Sequence, residues 1–361
     1  MALVHSEIEA YLSRRLGSAV RVEHVGELGG PAKGQEALKL FGYGRPLCID
    51  FCADGKNERV ILRQIKRNGF GHERDADRVA EVWEDFRAFN RLPRHIRAKD
   101  LVTLDASGRL DSIAHAEDVL LLTEYVPGEI YTTDLVRIRD TNVCTDQDLA
   151  RVRALATYAA QIHAVKHDDS LLWRRRLRDL IGDGEGIFGQ TDGYPADFAL
   201  ANADDLRAIE EQANRWRWKL KPKAHRLSQV HGDFHPFNIL FEDGENFHML
   251  DRSRGEWGEP ADDVSSMTIN YLFFALQKFG KLAGPFETIF KTFFETYLNA
   301  SKDAELLESI QPWYAWRVLV VASPVWYPKL EESVRRVLFT FARRVMAEDR
   351  FEWTEVNRYL K

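Results

Sequence analysis

The segment His231-Gly232-Asp233-Phe234-His235-Pro236-Phe237-Asn238, followed by Asp251 at the end of an apolar run, holds the residues best suited to chemistry. An aspartate, an asparagine five residues on and a second aspartate form a minimal set for moving a phosphoryl group. The first aspartate takes or orients the proton of an attacking hydroxyl, while the asparagine and the second aspartate hold magnesium against nucleotide phosphates. The runs Ile239-Leu240-Phe241 and Phe247-His248-Met249-Leu250 flank Glu242-Asp243-Gly244-Glu245-Asn246, a spacing that predicts a hairpin. Pairing these strands would bring Asn238 and Asp251 together at the open end, with Asp233 just before it. Magnesium prefers such hard oxygen ligands and keeps several waters, so one or two protein groups suffice. The competing assignment is a polar turn in which Asp233 caps a helix and His231 is simply buried.

The rest of the chain must position these groups. At 361 residues it exceeds one compact core, so two lobes are expected. An amphipathic helix over about 6–16 precedes Val20-Arg21-Val22-Glu23-His24-Val25, which alternates as a strand does. A glycine-rich stretch, 26–34, then leads to a second strand at 37–41. Strand, glycine-rich turn and strand bring a backbone close to phosphates, which makes Gly29, Gly30 and Lys33 candidate nucleotide contacts. A plain hairpin loop would read the same, and the absence of Gly-Lys-Ser/Thr excludes a Walker loop. Residues 59–66 read as a strand ending in cations. Arg63 and Lys66 would face opposite sides of it, so one of them points toward bound phosphates. A helix over about 75–92 carries Val79, Val82, Trp83, Phe86 and Phe89 as one apolar stripe, with Glu81, Glu84 and Asp85 beside it. Residues 119–128 read as a buried strand running into a turn, and the lobe boundary is placed there: 1–126 and 127–361.

The second lobe should be mainly helical, with helices over about 148–167, where His163 reads as a packed residue, and within 265–298 and 306–345. Residues 168–229 contain two glycine-rich breaks and resemble an insertion able to cap an acceptor site. Trp313, Tyr314, Trp316, Trp326 and Tyr327 either wall a pocket or belong to the core. The run Arg174-Arg175-Arg176-Leu177-Arg178 reads as the solvated face of a helix.

Composition narrows the function class. Hydrophobic residues make up 45% of the chain, and 50 Lys plus Arg against 56 Asp plus Glu give a formal charge of −6, with no general attraction to nucleic acid. Cys48, Cys52 and Cys144 form no disulfide framework or zinc spacing, which points to a reduced compartment. The N-terminus lacks a signal-like pattern and no apolar run reaches spanning length, so a cytoplasmic protein without a membrane partner is expected. No feature of the sequence sets an oligomeric state.

The motif His231-Gly232-Asp233 with Asn238 resembles the H-G-D-x-x-x-x-N signature of the aminoglycoside phosphotransferase and choline kinase family of small-molecule kinases. The resemblance implies an α+β, bilobal, protein-kinase-like fold: an N-terminal antiparallel-sheet lobe and a mainly helical C-terminal lobe. It implies ATP and Mg2+ as reactants and a small-molecule hydroxyl as acceptor. Asp233 and His231 would then belong to the catalytic loop, and Asn238 and Asp251 would be the metal ligands. Gly232 stands where protein kinases have arginine, implying a constitutively assembled site. Gly258-Glu259-Pro260-Ala261-Asp262-Asp263 matches the family's trailing Gly-x-Pro-x-x-Asp, so Asp263 would brace the catalytic loop. Ser253 departs from an acidic residue common in relatives. Val60-Ile61-Leu62-Arg63 matches the strand that carries the phosphate-gripping cation, with Lys66 as the competitor. Its acidic partner maps onto Asp85, with Glu84 as the alternative, and Glu124 and Val126 fall at the hinge where backbone groups meet adenine. A nucleotide-binding pseudokinase, or a kinase acting on a protein, is the alternative expectation.

Overall fold

Val20, Val22 and Val25 alternate along β1 (Val20–Glu27) and pack with Ile8, Tyr11 and Leu12 of helix α1 (His5–Leu16). The computed structural model describes residues 4–27, 46–91 and 93–361, and the chain divides into two compact units, Met1–Thr123 and Glu124–Lys361. In the first unit β1 pairs antiparallel with β2 (Leu47–Ala53), and β2 with β3 (Lys56–Leu62), in the order β1-β2-β3. Asp54 and Gly55 close the β2–β3 hairpin, both at positive φ (47° and 73°), the conformation an Asp-Gly two-residue turn adopts. Ile49 and Phe51 of β2 are buried beneath α1 and complete this small core with Leu110. Helix α2 (Asp75–Phe89) follows, and then the short pair β4 (Val102–Leu104) and β5 (Leu110–Ser112).

Two expectations change here. The strand read over 59–66 is instead β3, ending at Leu62 opposite Leu47, so Arg63 and Lys66 lie beyond the ladder and strand alternation no longer sets their directions. Residues 119–126 form no strand. Val119, Leu120, Leu121 and Leu122 are exposed, and no described strand pairs with them. The glycine-rich stretch, with Gly29, Gly30 and Lys33, and the strand expected at 37–41 lie outside the described residues.

The second unit is mainly helical. After β6 (Glu129–Ile130) come α3 (Thr132–Thr141), α4 (Asp146–His163), α5 (Ser170–Gly182), α6 (Ile187–Asp192) and α7 (Ala203–Leu220). Thr145 starts α4 with a capping box to Asp148, satisfying backbone groups that a helix start leaves open. The first glycine-rich break of the insertion, 182–186, falls at the junction of α5 and α6, whereas the second, 189–193, lies within α6 except for Gly193, which ends it. Strands β7 (Ser228–Gln229), β8 (Ile239–Asp243), β9 (Asn246–Met249) and β10 (Trp257–Gly258) surround the motif, β6-β8-β9 as one sheet and β7 with β10 as a pair. Helices α8 (Pro260–Phe279), α9 (Gly284–Ser301), α10 (Gln311–Val321) and α11 (Glu332–Ala347) close the chain. Helix α8 is buried along nearly its whole length, which its apolar residues on every side require.

Trp313 and Tyr314 are core residues, and Trp316 is also buried, whereas Trp326 is exposed and Tyr327 packs at the core's edge. Arg176 corrects the solvated-face reading of its run. It is buried, because Asp179, Asp262 and the Arg254 carbonyl receive its guanidinium.

Candidate active site

The loop carrying Asp233 hangs between two strand elements and is tied down at each end. Gln229 pairs with Trp257, and the Val230 N–H donates to the Glu256 carbonyl at 2.9 Å. At the other end, the β8–β9 hairpin pairs Ile239 with Met249 and Leu240 with His248, and the Leu250 N–H donates to the Asn238 carbonyl at 2.8 Å. That bond sets Asn238 beside the residue preceding Asp251. Asp251 is exposed, with a positive φ of 42° that turns the chain sharply out of β9.

Asp263, in the first turn of α8, holds the loop from below. Its Oδ2 accepts the His231 N–H and its Oδ1 the Gly232 N–H, each at 2.8 Å, and His163 Nε2 lies 3.0 Å from Oδ2. Complete burial pushes its carboxyl pKa up. The His163 hydrogen bond, the charges of His163 and His231 and the backbone bond outweigh that, so the net shift is downward. Gly232 has φ 85°, a conformation that favours glycine, and a Cβ there would stand a tight 3.3 Å from the Arg254 Cβ. His231 spends both ring nitrogens inside the loop: Nδ1 accepts the Asp233 N–H at 3.3 Å and Nε2 faces the Leu250 carbonyl at 2.9 Å. Burial lowers its pKa, in keeping with a neutral ring.

Asp233 is 8% exposed. The Asn238 amide donates to its Oδ2 and to its carbonyl, both at 3.2 Å, and His235 Nε2 lies 3.3 Å from Oδ2. Its Oδ1 receives two guanidinium groups: Arg254 Nη1, and Arg317 Nη1 at 3.3 Å. Burial alone would raise the Asp233 pKa. The His235 hydrogen bond and the charges of Arg317 and Arg254 reverse this and hold the carboxyl far below the usual range.

Arg317 also binds the fully buried Asp262, which Arg176 reaches at 3.4 Å from the other side. Arg254 reaches out to Glu185 at 2.9 Å. Both site arginines lie over the Trp316 indole, Arg317 at 3.9 Å and Arg254 at 5.1 Å from the ring centroid. Arg254, Arg317, Asp262 and Glu185 escape a reading of the sequence alone. A hint exists for Arg317, a single charge inside the apolar run of α10, which must be paired to be buried there.

Of the other candidates, Arg63 and Lys66 are exposed in the first unit. Burial and Glu81 raise the Asp85 pKa, while the charge of Arg63 acts against them, so Arg63 lies within electrostatic reach of Asp85. Glu84 is exposed on α2. In the second unit Glu124 is exposed and Val126 half-buried, neither in a strand.

The donor set near Asp233 suits magnesium. With its amide nitrogen on Asp233, Asn238 keeps its oxygen free of any described hydrogen bond, and the Asp251 carboxylate likewise has none. Among the described residues no three His, Cys, Asp or Glu side chains form a self-contained cage. A metal here would complete its shell with waters and phosphate oxygens, as magnesium does. No described helix is long and apolar enough to cross a membrane.

A family model described as "Phosphotransferase enzyme family" matches residues 53–313. No curated protein matches the sequence. Among solved structures the chain is similar to a glucosamine kinase in complex with glucosamine, ADP and inorganic phosphate. That match has 18% identity and a TM-score of 0.38, covering 63% of this chain and 57% of that one. It is also similar to a macrolide 2′-phosphotransferase type I, at 17% identity and a TM-score of 0.31, covering 98% and 100% of the two chains. An ethanolamine kinase of Plasmodium vivax gives 12% identity and a TM-score of 0.36, covering 93% and 80%.

Proposed function

This chain belongs to the phosphotransferase enzyme family, and from that premise we propose that it transfers the γ-phosphoryl group of ATP to a hydroxyl of a small molecule. The observation that supports this best is Asp233, a buried carboxylate kept ionised on a loop whose backbone is fixed by Asp263, with Asn238 and Asp251 alongside. The acceptor oxygen attacks the γ-phosphorus, the bond to the β–γ bridging oxygen breaks, and ADP leaves. Asp233 accepts a hydrogen bond from the attacking hydroxyl and fixes its direction. So strongly stabilised a carboxylate is a weak base, so proton transfer to it comes late, when the new P–O bond has made the hydroxyl acidic. Positioning and charge neutralisation then carry most of the rate, as phosphoryl transfer requires.

His231 serves as a brace, since both ring nitrogens are engaged. Asn238 and Asp251 would hold magnesium, which when bound neutralises charge on the phosphates. On the nucleotide side we assign Arg63, with Asp85 as its acidic partner, to the phosphates, with Lys66 and Glu84 as the respective alternatives. Gly29, Gly30 and Lys33 complete the phosphate cover, and the backbone at Glu124 and Val126 meets adenine. The test is ADP release from Mg-ATP across hydroxyl acceptors. Acceptor-stimulated release supports the reading, and failure to bind Mg-ATP would overturn it.

A further inference from the structure

Resting on the phosphotransfer reading above, we infer that the acceptor carries an oxyanion, a carboxylate or a phosphate, beside the hydroxyl that is phosphorylated, and that Arg254 receives it. A hydroxyl bonded to Asp233 must lie within about 6 Å of the Arg254 guanidinium, because both groups meet at the same carboxylate and each hydrogen bond spans roughly 3 Å. Arg254 is the accessible member of the pair of arginines there: 21% of its side chain is exposed against 6% for Arg317.

The surroundings leave little to hold an ammonium. The carboxylates around the site beyond Asp233 are Asp251, which the proposed magnesium would take, Asp263, which is buried and committed to the loop backbone, Asp262 and Glu185. Asp262 is fully buried between Arg317 and Arg176, and Glu185 is spent on Arg254. Trp316 could otherwise attract a cation by its ring, but two guanidinium groups already lie over it. Its indole N–H donates to the Glu185 carbonyl at 2.6 Å, which fixes the ring in place.

Two further observations point to an anion. The Nε of Arg317, a residue 5% exposed, has no acceptor among the described residues, so a buried donor remains available beside Asp233. Arg254 also already binds a carboxylate from within the chain. Glu185 sits on the glycine-flanked segment between α5 and α6, and its side chain is 63% exposed. Only the Glu185 end of this pair is exposed, so the carboxylate can turn into water and leave Arg254 to a ligand anion. Glu185 thus occupies the place that the acceptor's oxyanion would take. Charges about 6 Å apart at a partly buried site alter affinity by roughly tenfold to a hundredfold.

The experiment uses acceptors that share a skeleton and differ in charge: glycerate, glycerol and 3-amino-1,2-propanediol, then gluconate, glucose 6-phosphate, glucose and glucosamine. ADP release from Mg-ATP gives kcat/KM for each, and calorimetric titration gives Mg-ATP binding. The expected result is kcat/KM at least ~10-fold higher for the anionic member of a set than for its amine. Arg254→Gln should abolish that preference and Arg254→Glu should invert it, read as a ratio that is independent of any general loss of rate. Gluconate and glucose 6-phosphate separate a carboxylate from a phosphate requirement. Preference for an amine, a ratio unmoved by Arg254→Glu, or Mg-ATP binding with no member accepted would overturn the inference while phosphotransfer stands. Absence of Mg-ATP binding would instead overturn the reading beneath it.

Discussion

Replacing Asp263 with asparagine removes one oxygen acceptor and one negative charge from a site with no access to water. The native carboxylate serves three partners at 2.8, 2.8 and 3.0 Å: the backbone N–H groups of His231 and Gly232, and His163 Nε2. An amide has one acceptor oxygen, so whichever way it turns, its NH2 faces a backbone N–H. That leaves a buried donor unsatisfied, at about 1–3 kcal/mol. The remaining bonds lose their charge assistance, which roughly halves them. Together Asp263→Asn should cost about 3–5 kcal/mol, the range seen when one partner of a buried charge network is removed. At ~2–4 °C per kcal/mol for a unit of this size, Tm should fall by roughly 6–20 °C. The loop should also lose its fixed geometry, and kcat should drop by about 100-fold, the penalty of an ångström-scale misplacement. Thermal unfolding followed by circular dichroism, alongside ADP release, measures both. A variant that melts within ~1 °C of the parent would refute the bracing argument, because the orphaned donor alone predicts more.

Stability should also depend on acid. Asp233, Asp263 and Asp303 are held below the ordinary carboxylate range; for Asp303, burial acts upward, but the hydrogen bond and charge of Arg226 prevail. With folded pKa values below the unfolded ones, their contribution is complete above about pH 4–5 and is lost as pH falls through the folded values. Asp262, raised by burial, acts in the opposite sense and on the other side of the unfolded pKa, favouring the fold as pH falls from its raised folded value toward the unfolded one. Urea unfolding should therefore give a plateau from pH 8 to 5 and a decline below about 4, shallower in Asp233→Asn. Gly232→Ala places a Cβ 3.3 Å from that of Arg254 at φ 85°, and should cost about 1–3 kcal/mol with a matching loss of rate. Asp251→Ala should raise the Mg2+ concentration for half-maximal activity by at least ~10-fold, read from a magnesium titration at saturating ATP.

The site residues that could be read from the sequence are those fixed by local pattern. Short apolar runs around Asp243-Gly244 specify a hairpin, and a hairpin brings its ends together, so Asn238 and Leu250 meet by a backbone bond. Arg317 could not be read this way, because its partnership with Asp233 depends on how α10 packs beside α8, a contact across 84 residues. Arg254 looks like an ordinary loop cation until the fold brings its guanidinium onto Asp233, 21 residues away in the chain. Arg176 likewise sits in a run of arginines whose charge suggests solvent, although its spacing from Leu172, Trp173 and Leu180 puts it on the buried stripe of α5. Its burial follows from acids on α5 and α8 that only the fold assembles. The hydrophobic run 119–122 shows the reverse error, since apolar content predicts a buried strand only if a neighbouring strand is present to pair with it.

In the proposed reaction Asp233 orients the attacking hydroxyl and does little for nucleotide binding. The most direct measurement follows transfer of a labelled γ-phosphoryl group from Mg-ATP to an accepted alcohol in parent and Asp233→Asn, with Mg-ATP affinity measured on the same samples. Transfer should fall by at least ~1,000-fold, with nucleotide affinity within about threefold of the parent. Transfer that persists near the parent rate, or an equal loss of binding and transfer, would contradict that role.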